Sequence, residues 1–116
     1  MKFLKFWFPV LLYSGIIFYV SGLPNVKTPA PWPLFDKFLH ILEYAVLGFL
    51  FARALFHSAP GAYSQHKIIL TTLIFCLFYG VSDEVHQLFV IGRDASLFDV
   101  LADGLGGLLG GVLFKS

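Results

Sequence analysis

The acidic residues of this chain lie in two short stretches. Five of the seven fall within residues 82–107, SDEVHQLFVIGRDASLFDVLADGLGG, and the other two fall within residues 35–48, FDKFLHILEYAVLG. The chain as a whole is 58% hydrophobic and only 13% charged. Because carboxylates act as general acids or bases, as metal ligands and as hydrogen-bond acceptors, their concentration in two segments indicates a functional site.

The spacing of these residues places them on shared helix faces. Asp36, His40 and Glu43 follow an i, i+4, i+7 pattern, and Tyr44 lies beside that face. Related patterns occur later in the chain, where Asp83 and Gln87 are at i, i+4 with Glu84 and His86 close to them, and Asp99 and Asp103 are again at i, i+4. Three helical segments would each present one polar face.

The elements that carry these faces are predicted to be transmembrane helices. The chain has 116 residues, room for a single domain over 1–116, and its mean hydropathy is +0.80. Apolar stretches close to the roughly 20 residues that cross a bilayer occupy about 4–23, 37–56, 67–88 and 97–114. We therefore predict an all-α fold, a polytopic membrane protein built as a four-helix bundle.

Charged groups inside a membrane need partners. Each costs about 2.5–3.5 kcal/mol at the bilayer centre on insertion scales, and such residues therefore face a bundle interior or a wet cavity. We expect the three polar faces to surround one pocket. Its carboxylates outnumber the nearby cations, so either some carboxyl groups are protonated or a cation lies among them.

The distribution of Lys and Arg predicts the orientation of the chain. With both termini in the cytoplasm, Lys2, Lys5, Arg53, Lys67 and Lys115 lie inside, whereas Lys27, Lys37 and Arg93 lie outside. This orientation places both acidic segments at the outer surface of the membrane.

Other features limit the classes of function. The net charge of +1 gives no basic surface for nucleic acid, and Cys76 is the only cysteine, so no intrachain disulfide forms. The first span resembles a signal peptide, but the bulky Phe18 and Tyr19 fit a cleavage site poorly and we expect it to be retained. The last span contains two GxxxG pairs, Gly106 with Gly110 and Gly107 with Gly111, which favour close helix packing within the chain or in a homo-oligomer.

The composite pattern resembles the VanZ-like family of small bacterial membrane proteins. It reads D-x(3)-H-x(2)-E-Y in the second span, then S-D-E-x(2)-Q-x-F-x(2)-G-R-x(2)-S-x(2)-D-x(3)-D-x(2)-G-G, over about residues 30–112. The matching residues are Asp36, His40, Glu43, Tyr44, Ser82, Asp83, Glu84, Gln87, Phe89, Gly92, Arg93, Ser96, Asp99, Asp103, Gly106 and Gly107. Two positions depart from the family's usual pattern: Ile91 replaces a common Pro, and Asp103 replaces a common Asn.

The resemblance implies a role in the bacterial cell envelope, at the cytoplasmic membrane. The name-giving member of the family is associated with resistance to the glycopeptide teicoplanin. For the outward-facing acidic pocket we predict a protein that binds a lipid-linked cell-wall precursor or a glycopeptide, or alters its display. The alternatives are a membrane-embedded enzyme acting on such a lipid, and a small cation-coupled or proton-coupled transporter.

Each candidate residue has an expected role. In the enzyme alternative His40, Glu43, Asp83 and Glu84 are catalytic, with His40 as acid or base. Ligand contacts are expected from Asp36, Tyr44, Gln87, Arg93, Ser96, Asp99 and Asp103, with Arg93 as a phosphate clamp. A divalent metal is a candidate cofactor, and its expected ligands are His40, Glu43, Glu84 and Asp103. Interhelical hydrogen bonding alone would also account for His40 or for Glu43, and Arg93 could be a surface charge.

Overall fold

The computed structural model describes residues 2–21, 35–90 and 97–114, and these form four helices. The helices are α1 (Lys2–Ser21), α2 (Phe35–Ser58), α3 (Gln65–Gln87) and α4 (Leu97–Leu113). The predicted all-α class with four helices is confirmed. The bounds of the predicted spans differ from those of the helices by at most two residues.

A short turn reverses the chain between α2 and α3. Pro60 lacks a backbone N–H and so disfavours continuation of α2. Gly61 has a φ of 81°, in the left-handed region that glycine adopts without a steric penalty. The Ser64 hydroxyl then accepts a hydrogen bond from the Lys67 backbone N–H at 3.2 Å, which caps the start of α3.

The four helices run alternately up and down, so the bundle has two distinct ends. At one end, the indole N–H of Trp7 donates to the Ser58 hydroxyl at 2.5 Å, joining the start of α1 to the end of α2. At the same end the side-chain amide of Gln65 donates to the Phe114 carbonyl at 2.6 Å, joining α3 to the residue after α4. The other end, where α2 and α4 begin and α3 ends, carries the acidic residues. We call it the acidic pole, and it contains Glu43, Asp83, Glu84, Asp99 and Asp103.

Helix α4 lies between α2 and α3 and packs closely against both. A Cβ atom on Gly106 or Gly110 would overlap the backbone carbonyl oxygens of Ile41 and Ala45 in α2. A Cβ atom on Gly107 would lie 2.5 Å from the Cys76 Cβ in α3. The glycines therefore allow α4 to approach two neighbours at backbone distance, as their spacing predicted.

The same packing bears on the predicted homo-oligomer. All five glycines of α4 are buried within the chain, against α2 and α3. They are therefore not exposed for the close approach of a second copy, and a homo-oligomer formed through them stays a prediction without structural support.

Helix α1 packs mainly on α2 and touches α3 less extensively. Its contact with α3 includes a hydrogen bond from the Tyr79 hydroxyl to the Ser14 backbone carbonyl. Aromatic rings fill much of the space between the helices, including Phe51 and Phe75, which stack at a centroid distance of 4.2 Å. This apolar packing holds the helix ends at the acidic pole in register.

Among the described residues, two helical segments are long and apolar enough to cross a bilayer, Phe38–Ser58 and Gln65–Gln87. The apolar part of α1, Leu4–Val20, is shorter. Helix α4 has 17 residues, at the lower end of the length that spans the hydrocarbon layer. Many large apolar side chains face outward, including Phe78 at 74% and Phe98 at 71% exposure, which suits helices surrounded by lipid.

Candidate functional site

Four carboxylates are buried at the acidic pole. Asp83 and Glu84 lie near the end of α3, and Asp99 and Asp103 lie in the first two turns of α4. Asp103 has no exposed surface at all. Carboxylates are rarely buried to this extent unless they are paired or bind an ion, so the pole is a candidate functional site.

His40 connects α2 to this set. Its Nδ1 atom lies 2.7 Å from Oδ1 of Asp103, and the ring N–H can donate to the carboxylate. The His40 side chain is 14% exposed, whereas its partner is fully buried. A fully buried carboxylate is therefore in contact with a histidine whose side chain is still partly exposed at the protein surface.

The second oxygen of Asp103 lies beside α3. A Cβ atom on Gly80 would be only 2.8 Å from Oδ2, so the absence of a side chain at Gly80 makes room for the carboxylate. Oδ2 is buried and has no hydrogen-bond partner among the described residues. Leaving a buried acceptor without a partner costs about 1–3 kcal/mol, and more for a charged group.

Three side chains from three helices meet around this carboxylate. His40 of α2, Glu84 of α3 and Asp103 of α4 each offer one potential ligand atom, and these atoms all lie within 4.8 Å of one another. We call this group the three-helix cluster. Among the described residues, this is the one set of three or more His, Cys, Asp or Glu side chains whose potential ligand atoms are close enough to share a metal ion.

Glu43 lies at the same pole but outside the three-helix cluster. It is partly buried and lies within electrostatic range of three tyrosines, Tyr13 of α1, Tyr44 of α2 and Tyr79 of α3. These tyrosines belong to three different helices. Glu43 is not among the three side chains that share metal-ligand spacing, and its predicted role as a ligand stays a prediction.

Tyr44 contributes a buried hydroxyl near the carboxylates. Its side chain has no exposed surface, and it lies within electrostatic range of Asp83 and Asp103. The ring lies 6.3 Å from that of Tyr79. The hydroxyl has no hydrogen-bond partner among the described residues, so it is available to donate to a bound group.

Three further residues of the predicted polar faces lie at the acidic pole. Gln87 and Asp99 are buried at the same pole, at 5% and 4% exposure. His86 lies beside them on α3, and its ring stacks on Phe18 of α1 at a centroid distance of 4.0 Å. This stack attaches the end of α1 to the acidic pole.

Some predicted ligand contacts fall outside what the structure describes. Arg93 and Ser96 lie outside the described residues, and Asp36 lies in α2 with a side chain that is not described. Their roles stay predictions. Asp94 lies in the same undescribed segment as Arg93.

The structure adds residues that the sequence pattern did not single out. Gly80 lies one turn before Glu84 and accommodates Asp103, while Tyr79 lies one turn before Asp83. Thr72 is fully buried, and its hydroxyl has no hydrogen-bond partner among the described residues. The i−4 spacing of Gly80 and Tyr79 from the acidic pair is a signal that could have identified both.

Comparison with known proteins gives a family. The model of the VanZ/LLP1 family matches residues 3–116, nearly the whole chain. No curated protein and no solved structure matches the chain significantly. The resemblance seen in the motif is therefore confirmed by a match that extends through all four helices. With its apolar helices and outward-facing aromatic residues, the chain is a membrane protein in contact with the lipid bilayer, and it belongs to the VanZ/LLP1 family.

Proposed function

We propose that this protein binds a lipid-linked component of the bacterial cell envelope through the acidic pole, and that it contributes in this way to resistance against teicoplanin-type glycopeptides. The observation that carries the proposal is the burial of four carboxylates at one end of a membrane helix bundle. Purely structural carboxylates would be a costly way to hold helices together in lipid.

The chemistry of the pole indicates what it would recognise. Carboxylate oxygens accept hydrogen bonds from hydroxyl and ammonium groups, and the Tyr44 hydroxyl can donate one. Envelope precursors carry sugar hydroxyls, amino groups and a lipid tail. A site at the end of the bundle can hold such a polar group while the tail stays in the bilayer.

The oxygen-rich pole would repel a phosphate group unless a cation accompanies it. Among the described side chains, the potential cations at this pole are His40 and His86. Arg93 is the predicted phosphate clamp, and a metal ion would serve the same purpose. Binding of a phosphorylated lipid therefore requires one of these partners.

The test is co-purification of the protein with a lipid-linked cell-wall precursor. We expect native mass spectrometry to find intact precursor on the wild-type protein and much less on Asp83→Asn. His66→Ala is the matched control, because His66 is exposed at the start of α3, at the other end of the bundle. Equal precursor binding by Asp83→Asn and the wild type would exclude the acidic pole as the binding site.

A second experiment connects binding to the envelope. Expression of the wild-type protein is expected to raise the teicoplanin concentration that stops growth, and expression of Asp83→Asn at the same level is not. A wild-type protein that leaves susceptibility unchanged, while precursor binding is retained, would remove resistance from the proposal and leave the binding function in place.

An enzymatic function is the second candidate, and the His40–Asp103 contact favours it. A histidine held at 2.7 Å by a buried carboxylate is oriented as a general acid or base, and Glu84 lies within the same cluster. The co-purification experiment separates the two functions. A chemically altered precursor that appears with the wild type and not with His40→Ala would establish catalysis.

A further inference from the structure

We propose that the three-helix cluster, His40, Glu84 and Asp103, binds a divalent transition-metal ion such as Zn²⁺ or Mn²⁺. The site would join α2, α3 and α4 at the acidic pole. The use of the ion in ligand binding rests on the proposed function, but the binding of the ion itself does not depend on it.

The first argument is geometric. Zn²⁺ holds nitrogen and oxygen ligands at about 2.0–2.2 Å, so two ligand atoms on one ion are at most about 4.4 Å apart. The potential ligand atoms of the three-helix cluster all lie within 4.8 Å of one another. This bound is close to the separation that a single ion requires.

The second argument comes from the environment of Asp103. Its Oδ1 contacts His40, whereas its buried Oδ2 has no hydrogen-bond partner among the described residues. Gly80 supplies no atom that could satisfy this oxygen and provides only the space it occupies. A bound cation would coordinate this oxygen and complete its interactions.

The third argument is the type of ligand atom. One imidazole and two carboxylates suit Zn²⁺ and Mn²⁺ better than Ca²⁺, which takes oxygen ligands alone. Three protein ligands also leave coordination positions open, as in metal sites that bind water or a substrate. His40 is partly exposed, so the open side of the site is accessible from the acidic pole.

A metal ion at this position would give the acidic pole an affinity for phosphate. The ion adds two positive charges at the pole that also carries Asp83 and Asp99, whose carboxylates otherwise repel an anion. A phosphate oxygen of a lipid-linked ligand could then occupy an open coordination position. This role explains how an acid-rich site and an anionic lipid can be compatible.

The test uses purified protein without a histidine tag, in detergent and without added lipid. After chelator treatment the protein is titrated with Mn²⁺, and elemental analysis measures stoichiometry. Pulsed paramagnetic resonance measures coupling of the ion to an imidazole nitrogen. We expect one ion per chain with nitrogen coupling, and an affinity at least about tenfold lower in His40→Ala and Asp103→Asn.

The control is His66→Ala, which removes an exposed histidine at the opposite end of the bundle and should bind Mn²⁺ as the wild type does. The nitrogen coupling is measured on the wild type, so the proposal is tested even if a variant fails to fold. It is overturned by the absence of a stoichiometric ion, by an ion that shows no nitrogen coupling, or by unchanged affinity in folded His40→Ala. Since no lipid is present, these outcomes do not affect the precursor-binding experiment.

Discussion

Asp103 is the residue on which most of the site depends. Its carboxylate contacts His40 on one side, and its other oxygen occupies the space beside Gly80 that a side chain would fill. Two helices therefore determine the position of a group on a third. Small changes around Asp103 should alter stability and binding together, because the carboxylate is fully buried between these two helices.

Gly80→Ala is predicted to destabilise the protein. The new methyl group would lie 2.8 Å from Asp103 Oδ2, and overpacking of this kind typically costs about 1–3 kcal/mol. We expect a lower midpoint of thermal unfolding in detergent. The matched control is Gly15→Ala in α1, where an added Cβ meets no atom within 4 Å and a helical alanine is favoured by about 0.5–1 kcal/mol. Equal midpoints for the two variants would contradict the close contact at Gly80.

Tyr44→Phe is predicted to separate stability from binding. The mutation removes a buried hydroxyl that has no hydrogen-bond partner among the described residues, so the free energy of unfolding should stay the same or increase. Binding of a lipid-linked precursor should weaken if the hydroxyl donates to it. Thermal unfolding and co-purification measure the two effects. The control is Tyr63→Phe, which changes an exposed tyrosine in the α2–α3 turn and should alter neither quantity. A large loss of stability in Tyr44→Phe would contradict the prediction, because it would show that the Tyr44 hydroxyl is paired in the folded protein.

Helical periodicity predicted helix faces, but it did not predict which residues of those faces meet. The i, i+4 pattern placed His40 and Asp103 on inward faces, and the structure brings them into contact. The same reasoning grouped Glu43 with His40, yet Glu43 is not part of the three-helix cluster and lies within electrostatic range of Tyr13 and Tyr79. Spacing along one helix gives a face, whereas the rotation of that helix against its neighbours decides which residue of the face reaches the centre.

At the scale of the helix, α4 holds the bundle together. Gly106 and Gly110 face the backbone of α2, while Gly104, Gly107 and Gly111 face α3. A glycine of α2 also takes part in this contact, because a Cβ on Gly48 would lie 2.8 Å from the Gly107 carbonyl oxygen. Helix α4 can therefore carry Asp99 and Asp103 into the interior, where longer side chains would have kept the helices apart.

The two sides of α4 differ in their tolerance of a methyl group. A Cβ on Gly110 would overlap backbone atoms of α2, including the Phe49 nitrogen at 2.6 Å, and backbone atoms cannot rotate away. We expect Gly110→Ala to cost about 3 kcal/mol or more, at the upper end of the range for overpacking. Thermal unfolding and the yield of folded protein in detergent measure the loss.

Gly111→Ala is the matched control on the same helix. Its added Cβ would lie 3.4 Å from the Ile69 Cα, an ordinary van der Waals distance. We expect no loss of stability. If Gly110→Ala were as stable as Gly111→Ala, α4 could not lie as close to α2 as the structure places it.

Hydropathy predicted the positions of the helices in the sequence, but it did not predict how the helices pack against one another. Apolar stretches of about the right length gave each helix to within two residues. The GxxxG spacing indicated close packing, but it is equally compatible with contacts to one neighbour, two neighbours or a second copy. The choice depends on complementary small residues on the other helices, such as Gly48, whose role is visible only when the helices are packed.

At the scale of the whole molecule, the two ends of the bundle differ in charge. The acidic pole holds the buried carboxylates, whereas the opposite end carries Lys5 and Arg53, which both lie over the Phe6 ring. Lys67 lies in the first turn of α3 at that same end. Clusters of Lys and Arg near helix ends favour the cytoplasmic side, so this asymmetry supports an acidic pole that faces outward.

The orientation is tested by the accessibility of single cysteines in intact cells, in a Cys76→Ala background. Ala30→Cys and Gly92→Cys lie in the α1–α2 and α3–α4 connections, which join the helices at the acidic pole, and Ala62→Cys lies in the exposed turn at the opposite end. We expect a membrane-impermeant maleimide to label positions 30 and 92 in intact cells, and position 62 only after the membrane is permeabilised. The reverse pattern would turn the acidic pole toward the cytoplasm, where it could not meet precursors or glycopeptides on the outer surface. Labelling of position 30 without position 92 would contradict the four-helix crossing itself, because an even number of crossings separates the two positions and must place them on the same side.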